Sequence, residues 1–110
     1  MSEMKNEDFL SNVEREEYIL CAALYYDDGI KRVHQPKNID TGLVICGRRH
    51  HNCFNILFQI FKDVSKQSLV KQGFLSSKDR FLDRKTAAIV ALNSKQIYKK
   101  TKSLFSEDLY

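Results

Sequence analysis

Apolar residues of this chain form short runs separated by polar turns, a pattern typical of a small domain that contains both strands and helices. The run Tyr18–Tyr26 carries no charge and is rich in aromatic residues, which predicts a strand buried on both faces. Asp28 and Gly29 then give a strong hairpin signal, so residues 30–34 are expected to return as a second strand. A third, short strand is predicted over 43–46.

The second half of the chain alternates between helical and extended patterns. Apolar residues recur every three or four positions over 48–66, which predicts a turn followed by a helix. Two short strands are expected over 70–75 and 80–82. Asp83 is a good N-cap residue, so a second helix is predicted over 84–96.

The order β-β-β-α-β-β-α indicates the α+β class with an antiparallel-rich sheet. We expect one domain over residues 18–110, preceded by an acidic N-terminal arm or short helix over 1–17. The length of 110 residues leaves no room for a second independent domain. The final segment, residues 104–110, alternates apolar and acidic residues. It is expected to dock on the domain through its apolar side chains, with Glu107 and Asp108 meeting arginines of the body.

Composition limits the cellular compartments in which the protein is expected. No apolar run approaches the roughly 18 residues of a transmembrane helix, so no membrane association is expected. The polar, acidic N-terminus does not resemble a secretion signal, and three cysteines are an odd number. These features favour a reducing cytoplasm in which Cys21, Cys46 and Cys53 are free and mostly buried thiols.

The formal net charge of +4 conceals two regions of opposite sign. Residues 1–28 carry eight acidic and two basic side chains, a net of −6, whereas residues 29–110 carry sixteen basic and six acidic ones, a net of +10. A basic domain indicates an anionic partner, although many basic surfaces are merely solvated.

A first candidate site lies at the predicted start of the first helix, where Arg48, Arg49, His50 and His51 are consecutive. A helix N-terminus carries partial positive charge and free N–H groups, so four basic side chains there are unfavourable in isolation. A bound phosphate would reverse the sign of that effect. The alternative is that the arginines face solvent and one histidine packs in the core.

A second candidate site interleaves aromatic, basic and hydroxyl side chains around the predicted hairpin and the start of the second helix. A phenylalanine ring there would stack on a nucleobase while the bases meet phosphate. The alternative for each phenylalanine is ordinary packing in the core. The residues of this second site are Gln72, Phe74, Ser76, Arg80, Phe81, Arg84 and Lys85.

Cys46, His50, His51 and Cys53 are residue types that bind zinc. A structural zinc site normally uses two ligand pairs at defined spacing, and the sequence offers only one such pair, Cys46 with His50. A cysteine nucleophile with a histidine base is a further alternative. Cys53 falls on the apolar helix face, where an inert thiol is the usual case. The expectation is therefore that no metal, cofactor or catalytic residue is present.

Three motifs, which follow one another in the same order as in the family, resemble those of small, poorly characterised proteins encoded by phages and prophages. The motifs are ICGRRHHNCF at 45–54, QGFLSSKDRFLDRKTAAIVAL at 72–92 and LFSEDLY at 104–110. The resemblance covers roughly residues 18–110. In general character the chain is also similar to phage anti-defence proteins that sequester cyclic nucleotide or ADP-ribose signals of bacterial immunity. This likeness implies action in the bacterial host cytoplasm.

The resulting expectation is a protein that binds a phosphorylated nucleotide signal without turnover. Two alternatives stay open: an enzyme acting on a nucleotide or phosphodiester through His50 or His51, and a nucleic-acid-binding accessory protein. A domain of this size rarely hollows out a nucleotide-sized pocket, so a homo-oligomer with the ligand near a subunit interface is expected. The apolar helix 53–64 and the alanine-rich stretch 87–91 are the predicted contact surfaces.

Overall fold

A computed structural model of the chain describes residues 16–61 and 70–110. Four strands form one antiparallel sheet in the order β2-β1-β3-β4. The strands are β1 (Ile19–Tyr26), β2 (Leu43–Gly47), β3 (Val70–Ser76) and β4 (Phe81–Asp83). The helices are α1 (His50–Ile60), α2 (Arg84–Asn93) and the single turn α3 (Ser106–Leu109). The predicted α+β class with an antiparallel sheet is confirmed.

The hairpin predicted at Asp28 and Gly29 is wrong, because residues 30–34 form no strand. β1 is a central strand whose two edges already pair with β2 and β3, which leaves no free edge for another partner. The Asp28 carboxylate instead accepts hydrogen bonds from the Ile30 N–H at 3.1 Å and from Arg32 at 2.7 and 3.0 Å. Asp28 thereby folds the segment after β1 into a loop.

One face of the sheet carries the hydrophobic core. Leu24 and Phe74 alternate inward from β1 and β3 and meet Leu57 of α1, all three essentially without solvent contact. Ala87, Ala88 and Ala91 of α2 are likewise buried in this core. The alanines of residues 87–91 are therefore unavailable to a partner subunit, which corrects that part of the oligomer prediction, whereas Ile89 in the same stretch is exposed.

Gly73 and Asp83 fix the local geometry of β3, β4 and the start of α2, on which the candidate site depends. A Cβ atom on Gly73 would lie 2.1 Å from the Leu82 main-chain oxygen, so only glycine lets β4 approach β3 so closely. The Asp83 carboxylate accepts from the Thr86 N–H at 2.8 Å and caps α2, as predicted. The strand pairing and the cap together place the first turn of α2 beside β3.

Several sequence predictions concern residues outside the described ranges. Residues 1–15 of the expected arm and residues 62–66 of the expected first helix, with the apolar position Val64, are among them. The last residue of the expected arm, Glu17, is described, and it contacts the domain directly through Ser76 and Arg80.

Candidate functional site

The N-termini of α1 and α2 meet at one edge of the core. Arg49 is the N-cap residue of α1, and His50 and Arg84 are the first residues of the two helices. The His50 Nε2–H donates to the Gly73 main-chain oxygen at 2.8 Å, which leaves Nδ1 as an acceptor 3.5 Å from the Arg84 guanidinium. Two basic helix starts that the sequence placed 34 positions apart are thus adjacent.

Neutral acceptors hold the Arg84 guanidinium. It donates to the Leu104 main-chain oxygen at 2.7 Å and to the Gln72 side-chain oxygen at 2.6 Å. Its plane lies 4.5 Å from the centre of the Phe105 ring. Burial lowers the pKa of Arg84, and the negative charge of Glu107 opposes that shift. The side chain is therefore oriented without its charge being neutralised by an ion pair.

Arg48 and Arg49 enclose the ring of Tyr110. Their guanidinium carbons lie 5.4 and 5.1 Å from its centre, and the Tyr110 hydroxyl donates to the Arg48 main-chain oxygen at 2.5 Å. Arg49 also donates to the Tyr110 main-chain oxygen and, at 3.4 Å, to the Ser106 hydroxyl. The C-terminal segment 104–110 thus lies against both arginines.

We call Arg48, Arg49, His50, Gln72 and Arg84 the arginine cluster. Within residues 16–61 and 70–110, no Asp or Glu side chain lies at ion-pair distance from any of its three arginines. The expected ion pairs with the acids of the C-terminal segment do not form; Asp108 instead accepts from the Phe105 N–H at 2.9 Å. A phosphate approaching the cluster would meet three cations that no Asp or Glu side chain pairs, one of which, Arg49, already donates to the Tyr110 main-chain oxygen.

His50 is half-buried at the centre of the arginine cluster. Burial lowers its pKa, and the positive charge of Arg84 lowers it further, whereas the hydrogen bond to the Gly73 main-chain oxygen and the charge of Glu107 raise it. Its ring also meets Phe74 edge-on at 5.1 Å. Both ring nitrogens already have partners in the domain, so His50 positions Arg84 more readily than it exchanges protons with a ligand.

His51 and Lys85 are exposed on the first turns of α1 and α2, next to the arginine cluster in sequence.

Ser76 and Arg80 lie elsewhere, at the turn between β3 and β4, together with Glu17. Arg80 donates twice to the Glu17 carboxylate, at 2.6 and 2.8 Å, and the Ser76 hydroxyl donates to the same group. Hydrogen bonding by Arg80 lowers the pKa of Glu17. In this turn cluster of Glu17, Ser76 and Arg80, the cation is already paired, so Arg80 is unsuited to the anion site.

Phe74 is a core residue, and Phe81 is buried on the opposite face of the sheet. Phe74 is completely buried, and Phe81 packs with Tyr25 at 5.7 Å between ring centres. Asn38 further encloses Phe81 by pairing with its main-chain N–H and oxygen at 2.8 and 2.7 Å. Neither ring has a face open to a nucleobase, which agrees with the hydrophobic-packing alternative.

The thiols differ from one another more than the sequence suggests. Cys53 is buried, and burial raises its pKa to about 11, as suits an inert thiol. Cys46, expected to be buried, is exposed because it lies on the sheet face away from the helices. Its hydrogen bond to Cys21 lowers the pKa of Cys21 to about 7. Among the described residues, none of these three thiols forms a hydrogen bond with a histidine.

Three cavities among the described residues, of about 470, 280 and 570 Å³, are lined by no residue of the arginine cluster. Within residues 16–61 and 70–110, no group of three or more His, Cys, Asp or Glu residues is arranged to hold a metal ion. No helix in those ranges is long and apolar enough to cross a membrane. None of these three cavities therefore encloses a ligand at the arginine cluster.

Two partners in these clusters were not singled out from the sequence. Glu17 is 63 residues from Arg80, and the Leu104 main-chain oxygen is 20 residues from Arg84. A main-chain acceptor carries no residue-specific signal. Glu17 did offer a residue-specific signal, since this acid lies just before the first buried strand. Seven other acidic residues occur in the first 28 positions, so the signal did not single it out.

Comparison with protein families places the chain beside a phage family. A family model described as phage T4 y16D protein matches residues 18–110 of the chain. No curated protein and no solved structure matches it. The matched range begins one residue before β1 and includes every strand and helix described above.

Proposed function

This chain belongs to the phage T4 y16D protein family, and we propose that it is a phage anti-defence protein that binds a phosphorylated nucleotide signal in the bacterial host cytoplasm. The ligand class is a cyclic oligonucleotide or an ADP-ribose derivative. The protein acts by sequestration and releases the ligand chemically unchanged.

The observation that carries the proposal is the arginine cluster. Three arginines lie at or beside the starts of two adjacent helices, with no Asp or Glu side chain at ion-pair distance in the described ranges. Main-chain oxygens, the Gln72 side chain and aromatic rings orient Arg49 and Arg84, so their geometry is set before an anion binds. The N-terminus of α1 adds N–H groups and partial positive charge, which favour phosphate, whereas the Asp83 carboxylate already caps the N-terminus of α2.

Two further features support binding over turnover. The His50 ring uses both nitrogens within the domain, which favours a structural role at the site. Arg48 and Arg49 present planar donors that suit bidentate contact with phosphate oxygens. An enzyme acting through His50 or His51 is the alternative, and the recovered ligand distinguishes the two.

The arginine cluster covers only one side of a bound nucleotide. We propose that a second copy of the chain covers the other side. Ile56, Phe58 and Ile60 of α1 remain exposed although they are large and apolar, which is typical of a surface that another protein covers. A homo-oligomer would place one arginine cluster near the partner's surface. Light scattering coupled to gel filtration tests this, and a 13 kDa monomer with and without ligand would contradict it.

The binding test uses cyclic dinucleotides, cyclic trinucleotides and ADP-ribose derivatives as probes. Thermal shift identifies a ligand, and mass spectrometry of the material released on denaturation shows whether it is unchanged. The double variant Arg48→Ala/Arg49→Ala is expected to bind at least about 100-fold more weakly, because two charge-assisted contacts are lost.

The matched control is Lys31→Ala/Lys37→Ala, which removes the same charge from two exposed residues in the loop after β1. It is expected to bind like the wild type. Unchanged affinity in a folded Arg48→Ala/Arg49→Ala variant would refute the site, and a chemically altered ligand would refute sequestration.

A further inference from the structure

A lysine-rich loop that shares no residue with the arginine cluster follows α2. We call residues 98–102, which read YKKTK, the lysine loop. All five residues are exposed, and Lys95 adds a further exposed cation just before the loop. Within residues 16–61 and 70–110, none of these lysines has a carboxylate at ion-pair distance.

Both ends of the lysine loop are fixed to the domain. Before it, the Gln96 side chain pairs with the main chain of Ile19, accepting at 2.7 Å and donating at 2.8 Å, and Ile97 is buried. After it, Leu104 is fully buried, and its N–H donates to the Arg84 main-chain oxygen at 3.0 Å. A loop anchored in this way presents its side chains at a defined place on the surface.

Tyr98 projects from the lysine loop with 91% of its surface exposed. Aromatic side chains normally bury most of their large apolar area, so an isolated exposed ring leaves that area unsatisfied. Tyr98 borders an open cavity of about 570 Å³ together with Lys99, Lys100 and Thr101. Leu109 and Asp108 also border it, and the Asp108 carboxylate already accepts from the Phe105 N–H.

We propose that the lysine loop is a binding site for single-stranded nucleic acid, in which Tyr98 stacks on a base and the lysines contact flanking phosphates. An exposed ring beside a cavity supplies a stacking platform, and every base offers a face to it. Lysines lie on both sides of Tyr98 in the chain, at 95 and at 99, 100 and 102, which suits a strand that continues in both directions. A duplex is excluded as ligand, since its base faces are already stacked.

This site shares no residue with the arginine cluster, so it does not rest on the proposed nucleotide-signal function. Each proposal can fail while the other stands.

The test measures fluorescence anisotropy of a labelled oligothymidylate of about 10 nucleotides, within the site size of single-strand binders. Tyr98→Ala is expected to weaken binding by about 5- to 150-fold, the loss of one stacked base. Tyr98→Phe is expected to bind like the wild type, because stacking needs the ring and not the hydroxyl. Both variants change an exposed side chain, and their melting temperatures verify the fold.

The electrostatic part is tested with Lys99→Gln/Lys100→Gln, which should reduce the slope of log affinity against log salt by about 1.4. The matched control is Lys31→Gln/Lys71→Gln, which removes the same charge about 20 Å away, at the other end of β1. Equal binding by wild type and Tyr98→Ala would overturn the proposal. So would a control that weakens binding as much as the loop variant, or a duplex that binds as well as the single strand.

Discussion

Arg80 and Arg84 lie four residues apart, and the sequence assigned both to one phosphate site, yet their surroundings are opposite. Arg80 is paired with the Glu17 carboxylate through two hydrogen bonds. Arg84 contacts only neutral acceptors and an aromatic ring. Arginine chemistry is the same in both places, so the difference in available charge is set entirely by what the fold brings to each side chain.

The two surroundings have different energetic consequences. A paired arginine contributes to stability and offers little to a ligand, because a ligand anion would have to displace the carboxylate. An oriented but unpaired arginine costs desolvation in the free protein, which is seen in the lowered pKa of Arg84. A bound anion offsets that cost, so the turn cluster is suited to holding the fold together and the arginine cluster to binding.

The largest effect on stability is expected from truncation of Phe74, whose ring packs edge-on against His50 of the arginine cluster. Phe74→Ala should destabilise the protein by about 3–5 kcal/mol, as truncation of a fully buried phenylalanine does. Urea unfolding measures the change. A variant that keeps its stability but loses ligand affinity would show instead that the ring serves the ligand.

A smaller effect is expected from Glu17→Gln in the turn cluster. The change removes the charge that Arg80 and Ser76 contact, and the exposure of Arg80 limits the cost to about 1 kcal/mol at neutral pH. Hydrogen bonding by Arg80 lowers the folded-state pKa of Glu17, so the stabilisation is fully present above the ordinary pKa of a glutamate. It is lost as the pH falls through the lower folded-state value.

Urea unfolding of wild type and Glu17→Gln at several pH values measures this difference. The two stabilities should converge in acid, and ligand affinity at neutral pH should be the same for both. Glu16→Gln, one residue earlier and exposed, is the matched control. A loss of ligand affinity in Glu17→Gln would break the distinction between the two clusters.

The contrast between Arg80 and Arg84 also shows what local sequence can specify. The helix starts, the Asp83 cap and the uncharged run of β1 depend on neighbouring residues, and the sequence predicted each of them. The identity of the central strand depends on pairing at long range. A local Asp-Gly signal therefore predicted a hairpin that β2 and β3 exclude by occupying both edges of β1.

The same limit applies to the candidate site. The basic helix starts at Arg49 and Arg84 were found from charge and position, but their meeting through His50 requires the β3 backbone at Gly73. Phe74 fits both a stacking and a core role by sequence, and only the register of β3 on β1 places it inward. Residue type thus indicated the chemistry, whereas tertiary contacts decided which residues remain accessible to a ligand.

The smallest effect expected is the response of the arginine cluster to mild acid. Burial lowers the pKa of His50 in the folded state, and Arg84 lowers it further, so the folded ring resists protonation. Below the ordinary pKa of histidine the unfolded chain takes up a proton that the folded chain does not, and the folded state loses stability as the pH falls. Above that pKa the ring is neutral in both states and contributes no pH dependence.

His50→Gln removes this response while keeping a side-chain donor for the Gly73 oxygen. The wild type should lose stability relative to His50→Gln as the pH falls from 7 to 5, in urea unfolding at several pH values. His51→Gln is the control for loss of an exposed imidazole. This window lies above the one for Glu17, so acid should weaken the arginine cluster before the turn cluster. A relative gain of wild-type stability in mild acid would mean that His50 is charged in the fold, with Glu107 outweighing burial and Arg84.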